Sequence, residues 1–378
     1  MQEAPAMILV ICGSNFISGA EFVLRDYLSS SALIDRMIVL TADTTENRNF
    51  FERTGAEVAY SPLLGQVGAI KTGRPGALLK KARNYLKSRG PVKSIIDERD
   101  IEKTLGNNSG DIIYARHVKK TNPDINFILM VHDMLEPGSI MARVFRHFDR
   151  FVDTYIAVSE AVRERLVLAG INKEKIEVIY NGIDPGITPH TKGKSPVGKT
   201  GEWTFGFVGN IEENKDPLAF VHFLQEYRHA GGSPRARMAY KHSDEPLLFS
   251  LRNSIDKAGV HVELAGSISR EKIGDFYRGI DFLFVPFIDN SLPTVVLEAF
   301  SHGVPVIGRK SGGIPEMVDH GKNGFLFDCE KDFPTLCECI LKMKNEHYKS
   351  MSVRASSTIV EKFSIQKKCK KLDLLVRP

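Results

Sequence analysis

The stretch NSLPTVVLEAFSHGVPVIG, Asn290 to Gly308, places one carboxylate, Glu298, in the opening turns of an otherwise apolar segment. Pro293 near a helix start, the run Val295, Val296 and Leu297, and the stop at Gly303 predict a short helix, followed by a buried parallel strand over Val304 to Ile307. A helix opening at Leu292 or Pro293 presents uncapped backbone N–H groups and the positive end of its dipole, which together receive phosphate. Glu298, one turn in, cannot favour a phosphate by charge, but its oxygens can accept two hydrogen bonds from neighbouring hydroxyls, as on a ribose. A carboxylate that merely complements the helix dipole on a solvated face is the blander reading.

Two further residues have the chemistry of a site. The strand-like run Phe205 to Gly209 leads into GNIEENKDP, where Lys215 follows Gly209 by six residues. A flexible ammonium in such a loop can meet a diphosphate, although lysines in surface loops are the rule. His132 follows the apolar run of INFILMVHD and suits either a site or a satisfied structural histidine. No DxD triplet occurs, so no carboxylate pair is evident to hold a divalent metal, and positive charge must come from the protein.

These residues need strands and helices to hold them. MILVIC, RMIVLTAD, AEVAY, DIIYA and INFILMVHD read as strands, with helical stretches such as Ala77 to Ser88 between them; TYIAVSEAVRERLVLAGINKEKIEVIYNGID reads strand, helix, strand, turn. After Ile187 to Gly201, rich in Pro, Gly, Thr and Lys, the pattern restarts with WTFGFVGN, HVELAG, IDFLFVPF, PVIGR and GFLFD. Alternating strands and helices predict an α/β chain of two Rossmann-like, doubly wound parallel-sheet domains facing across a cleft, with ligands beyond the carboxyl ends of the strands. The expected division is 1–186, a linker at 187–201, 202–355, and a C-terminal helix at 356–378 returning to the first domain.

Composition narrows the class. The chain has 378 residues, 26% charged and 42% hydrophobic, ordinary values for a soluble globular protein of two cores. Five cysteines without a CxxC pair argue against a disulfide framework or a structural zinc site, and no apolar run is long enough to span a bilayer. A cytoplasmic protein is expected, and nucleic acid is not an expected partner. From Lys71 to Lys93 eight basic residues occur without an acid. Within that stretch Gly76 to Gly90 sets Leu78, Leu79, Ala82 and Leu86 near one helical face, the pattern of a helix lying on an anionic membrane surface or of one packed on the first sheet.

The chain resembles the family 4 glycosyltransferases, retaining enzymes of the GT-B fold. The resemblance is carried by SGAEFVLRDYL, VHD at Val131 to Asp133, YIAVSEAVRERL, VIYNGID, FVGN with Lys215, and LPTVVLEAFSHGVPVIG through SGGIPEMVDHGKNGFLF. It implies transfer of a sugar from a UDP- or GDP-linked donor to a hydroxyl of a glycan or lipid-linked acceptor, with retained configuration and no cofactor or metal, in bacterial surface polysaccharide or glycoconjugate synthesis. By position it puts Gly19 near the donor phosphates, His132 and Asn290 at the sugar, and Gly209, Asn210 and Lys215 at the diphosphate. It further puts Pro293, Thr294, Val295 and Val296 at the phosphates, Glu298 on the ribose, and Gly266, Ser267 and Ile268 at the base. His132, Lys215, Asn290 and Glu298 form the expected catalytic set. The family usually has Arg in place of Asn210 and Glu in place of Asn290, which motivates a rival reading as a non-catalytic nucleotide-sugar-binding subunit. Arg309 or Lys310 is the expected replacement for the charge missing at Asn210. A GT-B epimerase would need an acid and base pair that is not evident, and no GxGxxG opens the first strand-to-helix turn.

Overall fold

The computed structural model describes residues 6–65, 83–184 and 202–378. The expected linker, and most of the basic stretch including the start of its helix, lie outside the described residues. The chain divides into two compact units, one of residues up to Asn181 with Ile365–Pro378 and one of Gly182–Ser364. Residues 356–362 belong to the second unit, as the end of helix Asn345–Lys362. The segment belonging to the first unit starts at Ile365, not at 356.

The first unit holds seven parallel strands: β1 Met7–Cys12, β2 Met37–Ala42, β3 Glu57–Ser61, β4 Ile101–Gly106, β5 Asn126–Val131, β6 Thr154–Ala157 and β7 Ile176–Val178, in the order β3-β2-β1-β4-β5-β6-β7. Ile8 to Cys12 and Phe127 to Val131 are buried without alternation, as strands covered on both faces must be. The run DIIYA, read above as a strand, is the start of helix Ile112–Thr121, and the strand is Ile101–Gly106 instead. Ile112, Ala115 and Val118 recur at helical spacing and are all buried, whereas Glu102 and Lys103 mask the strand character of IEKTLG.

Helix Ile365–Val376 is tied to the first helix, Gly19–Leu28, by buried polar contacts. Asp373 accepts from the Tyr27 hydroxyl at 2.8 Å and the Ser31 hydroxyl at 2.7 Å.

The second unit holds six parallel strands: β8 Thr204–Val208, β9 Arg235–Ala239, β10 His261–Gly266, β11 Phe282–Val285, β12 Val306–Arg309 and β13 Gly324–Phe327, in the order β10-β9-β8-β11-β12-β13. Its base is anchored by Trp203, fully buried against Phe282 and Tyr348, whose indole N–H donates to the Ile340 carbonyl at 3.0 Å. β9, RARMA, escapes sequence reading because two arginines interrupt a five-residue strand.

The predicted helix after β11 is present as Thr294–Ser301, one or two residues later than expected, with Pro293 at its N-cap and no side chain capping it. Gly303 takes φ 66°, a left-handed conformation that ends the helix. Beside it the turn Gly312–Gly313 lies directly on the Asn290–Ser291 backbone: a Cβ on Gly312 would stand 1.9 Å from the Asn290 carbonyl oxygen, and one on Gly313 1.9 Å from that of Ser291. Gly312→Ala also strains a residue at φ 54°. It should therefore destabilise the second unit by more than about 1 kcal/mol, read as a lower denaturant midpoint. An unchanged midpoint would show that the two loops can part without cost.

Candidate functional site

In each unit the strand order reverses once beside the first strand, between β1 and β4 and between β8 and β11, and the diverging loops leave an opening at the carboxyl edge. The first opening holds a cavity of about 690 Å³ lined by the loops after β1, β4 and β5. Buried Asp111 accepts the backbone N–H groups of Gly13 at 3.0 Å, Asn107 at 3.1 Å and Asn108 at 3.0 Å. Burial pushes its carboxyl up to about 7, against the pull of those three donors. Glu21, 1% exposed, accepts from the Ser18 N–H at 2.8 Å, the Ser18 hydroxyl at 2.6 Å and the Asn108 amide at 2.8 Å. The two carboxyl groups occupy backbone donors that would otherwise face the opening.

His132, just past β5, lines this cavity. The residue is half-buried, but its Nε2 is enclosed without a hydrogen-bond partner. Burial lowers its pKa to about 3, with Lys368 adding to the effect, so the imidazole is neutral at ordinary pH. Lys368 reaches in from helix Ile365–Val376, donates to the Val23 carbonyl at 3.3 Å, and is itself lowered to about 7 by burial. A buried cation behind an imidazole disfavours the imidazolium. Gly19 opens the first helix but does not line the cavity, though Ser18 and Ala20 do.

The second opening has a different lining. Lys215 ends a short turn after β8, and its ammonium rests 4.4 Å from the centre of the Phe287 ring in the loop after β11. Burial lowers its pKa. The Ile288 N–H donates to the Asn214 carbonyl at 2.9 Å, locking the two loops together. Gly209 packs closely on the Phe287 ring, where a Cβ would come within 3.0 Å and the ring would have to shift by a few tenths of an ångström.

Asn210 donates to Glu212 at 3.1 Å and accepts the His242 N–H at 3.2 Å, so it staples the loop after β8 to the loop after β9. An arginine could not accept that second bond. The Tyr240 N–H in turn donates to the Gly266 carbonyl at 2.9 Å, which sets the position of Ser267 and Ile268 beyond β10. The Asn290 carbonyl accepts the Gly313 N–H at 2.9 Å, and its side chain is half-buried. Pro293, Thr294, Val295 and Val296 form the uncapped start of the short helix, as its sequence requires.

Glu298 is held by a residue that sequence reading does not find. The buried Tyr277 hydroxyl donates to Glu298 Oε2 at 2.7 Å, and the phenol ring stacks on His302 at 5.3 Å between centres. Burial first, and then the carboxylate beside it, push the Tyr277 phenol up, so it remains a proton donor. Twenty-one residues separate the pair, and no local spacing signals it. Arg309, one expected source of compensating charge, pairs with Asp216 and donates from Nε to the Pro286 carbonyl at 2.9 Å. Lys310 pairs with exposed Asp328 at 2.8 Å. Both charges are met within the protein, because strand β12 aims its end at the caps and turns of its neighbours.

The state of His132 gives a measurable pH dependence. An unfolded histidine takes up its proton near pH 6.5 and folded His132 only near 3, so between those values the unfolded chain binds one proton more. Stability should rise with pH across that window, and His132→Gln should flatten the rise in denaturant midpoints. His117, lowered to about 4 by burial, acts in the same direction and preserves part of the slope. A variant with the full slope would mean that His132 is protonated in the fold.

Comparison with known proteins agrees with this geometry. The family model described as Glycosyltransferase Family 4 matches residues 38–186, and that described as Glycosyl transferases group 1 matches residues 191–357. An uncharacterized glycosyltransferase of Methanocaldococcus jannaschii is 26% identical over 300 residues, covering 75% of this chain and 80% of that protein. The sulfoquinovosyl transferase of Arabidopsis thaliana is 31% identical over 267 residues, covering 65% of this chain and 49% of the relative, so the match spans about half of that protein. Among solved structures, Anabaena HepE in complex with UDP and glucose superimposes with a TM-score of 0.78 at 19% identity, covering 98% of this chain and 99% of that one. Two parallel-sheet units of the GT-B type, matched by these two family models from residue 38 to residue 357, place the chain among the family 4-like glycosyltransferases.

Proposed function

We propose that the chain transfers a sugar from a nucleoside-diphosphate donor to an acceptor hydroxyl with retained configuration. The observation that carries the reading is the second opening, where an uncapped helix start, the Lys215 ammonium and the Tyr277-held Glu298 are gathered on one sheet edge. Lys215 and the helix N–H groups meet the diphosphate, and Glu298 accepts from the ribose hydroxyls with its second oxygen. Gly266, Ser267 and Ile268 border the base, and Asn290 faces the sugar. UDP is the first donor nucleotide to test, since HepE structures hold UDP with glucose, and UDP-glucose.

In the reaction the bond between the sugar's anomeric carbon and the diphosphate oxygen breaks, and a bond from that carbon to the acceptor oxygen forms on the same face. The acceptor's proton passes to the departing diphosphate oxygen. His132, made a weak base by a pKa lowered to about 3, orients a hydroxyl rather than removing a proton. The protein's contribution is orientation and stabilisation of charge on the leaving group. A glycan or lipid-linked acceptor, used in surface polysaccharide or glycoconjugate synthesis, fits the family relationship. The acid-free stretch Lys71 to Lys93 supports operation at an anionic membrane face. Among the described residues no helix is long and apolar enough to cross a membrane.

Lys215→Ala should weaken UDP binding by about 1.5 to 3 kcal/mol, as loss of a hydrogen bond to a charged group does, with the melting temperature of the free chain unchanged. Equal calorimetric affinities would remove Lys215 from the diphosphate site. Turnover separates an enzyme from a binding subunit: the purified chain should release nucleoside diphosphate from one member of a panel of UDP- and GDP-sugars, faster with acceptor present. Ligand-dependent melting without release from any donor would instead identify a non-catalytic binder.

A further inference from the structure

The described lining of the first unit's cavity is acidic. Among the described residues lining it are four acidic side chains, Glu21, Asp111, Asp133 and Glu136, and no lysine or arginine. Its one histidine, His132, is neutral by burial. The backbone N–H groups that could receive an anion at the β1/β4 opening are engaged by carboxyl groups: those of Gly13, Asn107 and Asn108 by Asp111, and that of Ser18 by Glu21.

Two polar atoms in the wall are left without a partner. Ser109 is 4% exposed and its Oγ has no hydrogen bond, and the same holds for His132 Nε2. A buried hydroxyl and a neutral imidazole can each donate or accept, which suits a ligand hydroxyl and not a second charge. Phe16, 63% exposed, with Met134 and Met141, supplies apolar surface beside them. A pyranose ring offers the matching pair of surfaces, a C–H face and a rim of hydroxyls.

We propose that this cavity takes an uncharged sugar ring of the acceptor, one hydroxyl on Ser109 and His132 and its C–H face on the apolar side chains, and that it rejects phosphorylated or carboxylated acceptors. The proposal rests on the glycosyltransferase reading above and adds the class of acceptor. Asp133 and Glu136, both exposed, are the charges that an anionic ring would meet on entry.

The test uses the full chain saturated with UDP. Methyl and octyl glycosides of glucose, galactose, mannose and N-acetylglucosamine are titrated by calorimetry, each beside its 6-phosphate and its 6-carboxylate. At least one neutral glycoside should bind, with its anionic counterparts at least tenfold weaker. Ser109→Ala should weaken the neutral glycoside about tenfold. Asp133→Asn combined with Glu136→Gln should narrow the gap by raising affinity for the anion, a gain that a misfolded chain cannot produce. Anions bound equally or more tightly, no neutral glycoside bound, an inert Ser109→Ala or an unchanged gap in the double variant would each overturn the proposal. UDP binding in the same experiment reports on the second unit: if it persists, the acceptor assignment alone fails; if it is absent too, the transferase reading fails with it.

Discussion

Every parallel strand that ends beside a helix start leaves backbone N–H groups without partners, and both units must satisfy them at the opening where the strand order reverses. The two units do so with opposite charge. In the first, Asp111 gathers three N–H groups and Glu21 closes the first turn of Gly19–Leu28. In the second, helix Thr294–Ser301 starts without a side-chain cap, and the ammonium of Lys215 rests on the Phe287 ring in the loop that leads toward it. One topology thus carries two openings, one edged by carboxyl groups and one by an uncapped helix start and a lysine.

That difference depends on what holds each loop. In the second unit the loops after β8, β9, β10, β11 and β12 form a continuous hydrogen-bonded chain through Asn210, Tyr240, Ile288 and Gly313. Asn210 belongs to this scaffold, since it both donates and accepts, and its amide is better suited to that task than a guanidinium would be. Arg309 is part of the scaffold too, because its charge is answered by Asp216 and its Nε by the Pro286 carbonyl. The Asn210 side chain is therefore built into the loop framework, which Asn290 joins through its backbone carbonyl, and Lys215 stands beside it on the Phe287 ring.

In the first unit the C-terminal helix supplies the wall behind His132. Asp373 ties that helix to Tyr27 and Ser31, and Lys368, buried on the same helix, donates to the Val23 carbonyl. The buried ammonium and the enclosed imidazole are each lowered chiefly by loss of water, and Lys368 adds to the shift of His132. An imidazole in that state binds hydroxyls by hydrogen bonding and carries no charge into the cavity.

The alternation of apolar strands with amphipathic helices determined two parallel-sheet units, because such strands can be joined only by crossover helices and must end on one edge. It also determined the short helix carrying Glu298, whose proline, apolar run and stopping glycine lie within ten residues, and it marked Lys215 through its distance from Gly209. Strand β9 and the helical character of DIIYA were hidden, since charges interrupt the one and a strand-like apolar run opens the other. Only the tertiary structure decided that Tyr277 holds Glu298, that Arg309 is spent on Asp216, that Lys368 stands behind His132, and that Asp111 and Glu21 occupy the first opening. Those contacts join residues from 3 to more than 200 positions apart, and where they are distant no spacing rule connects them; the fold brings them together by packing, which the sequence specifies collectively and no short stretch displays.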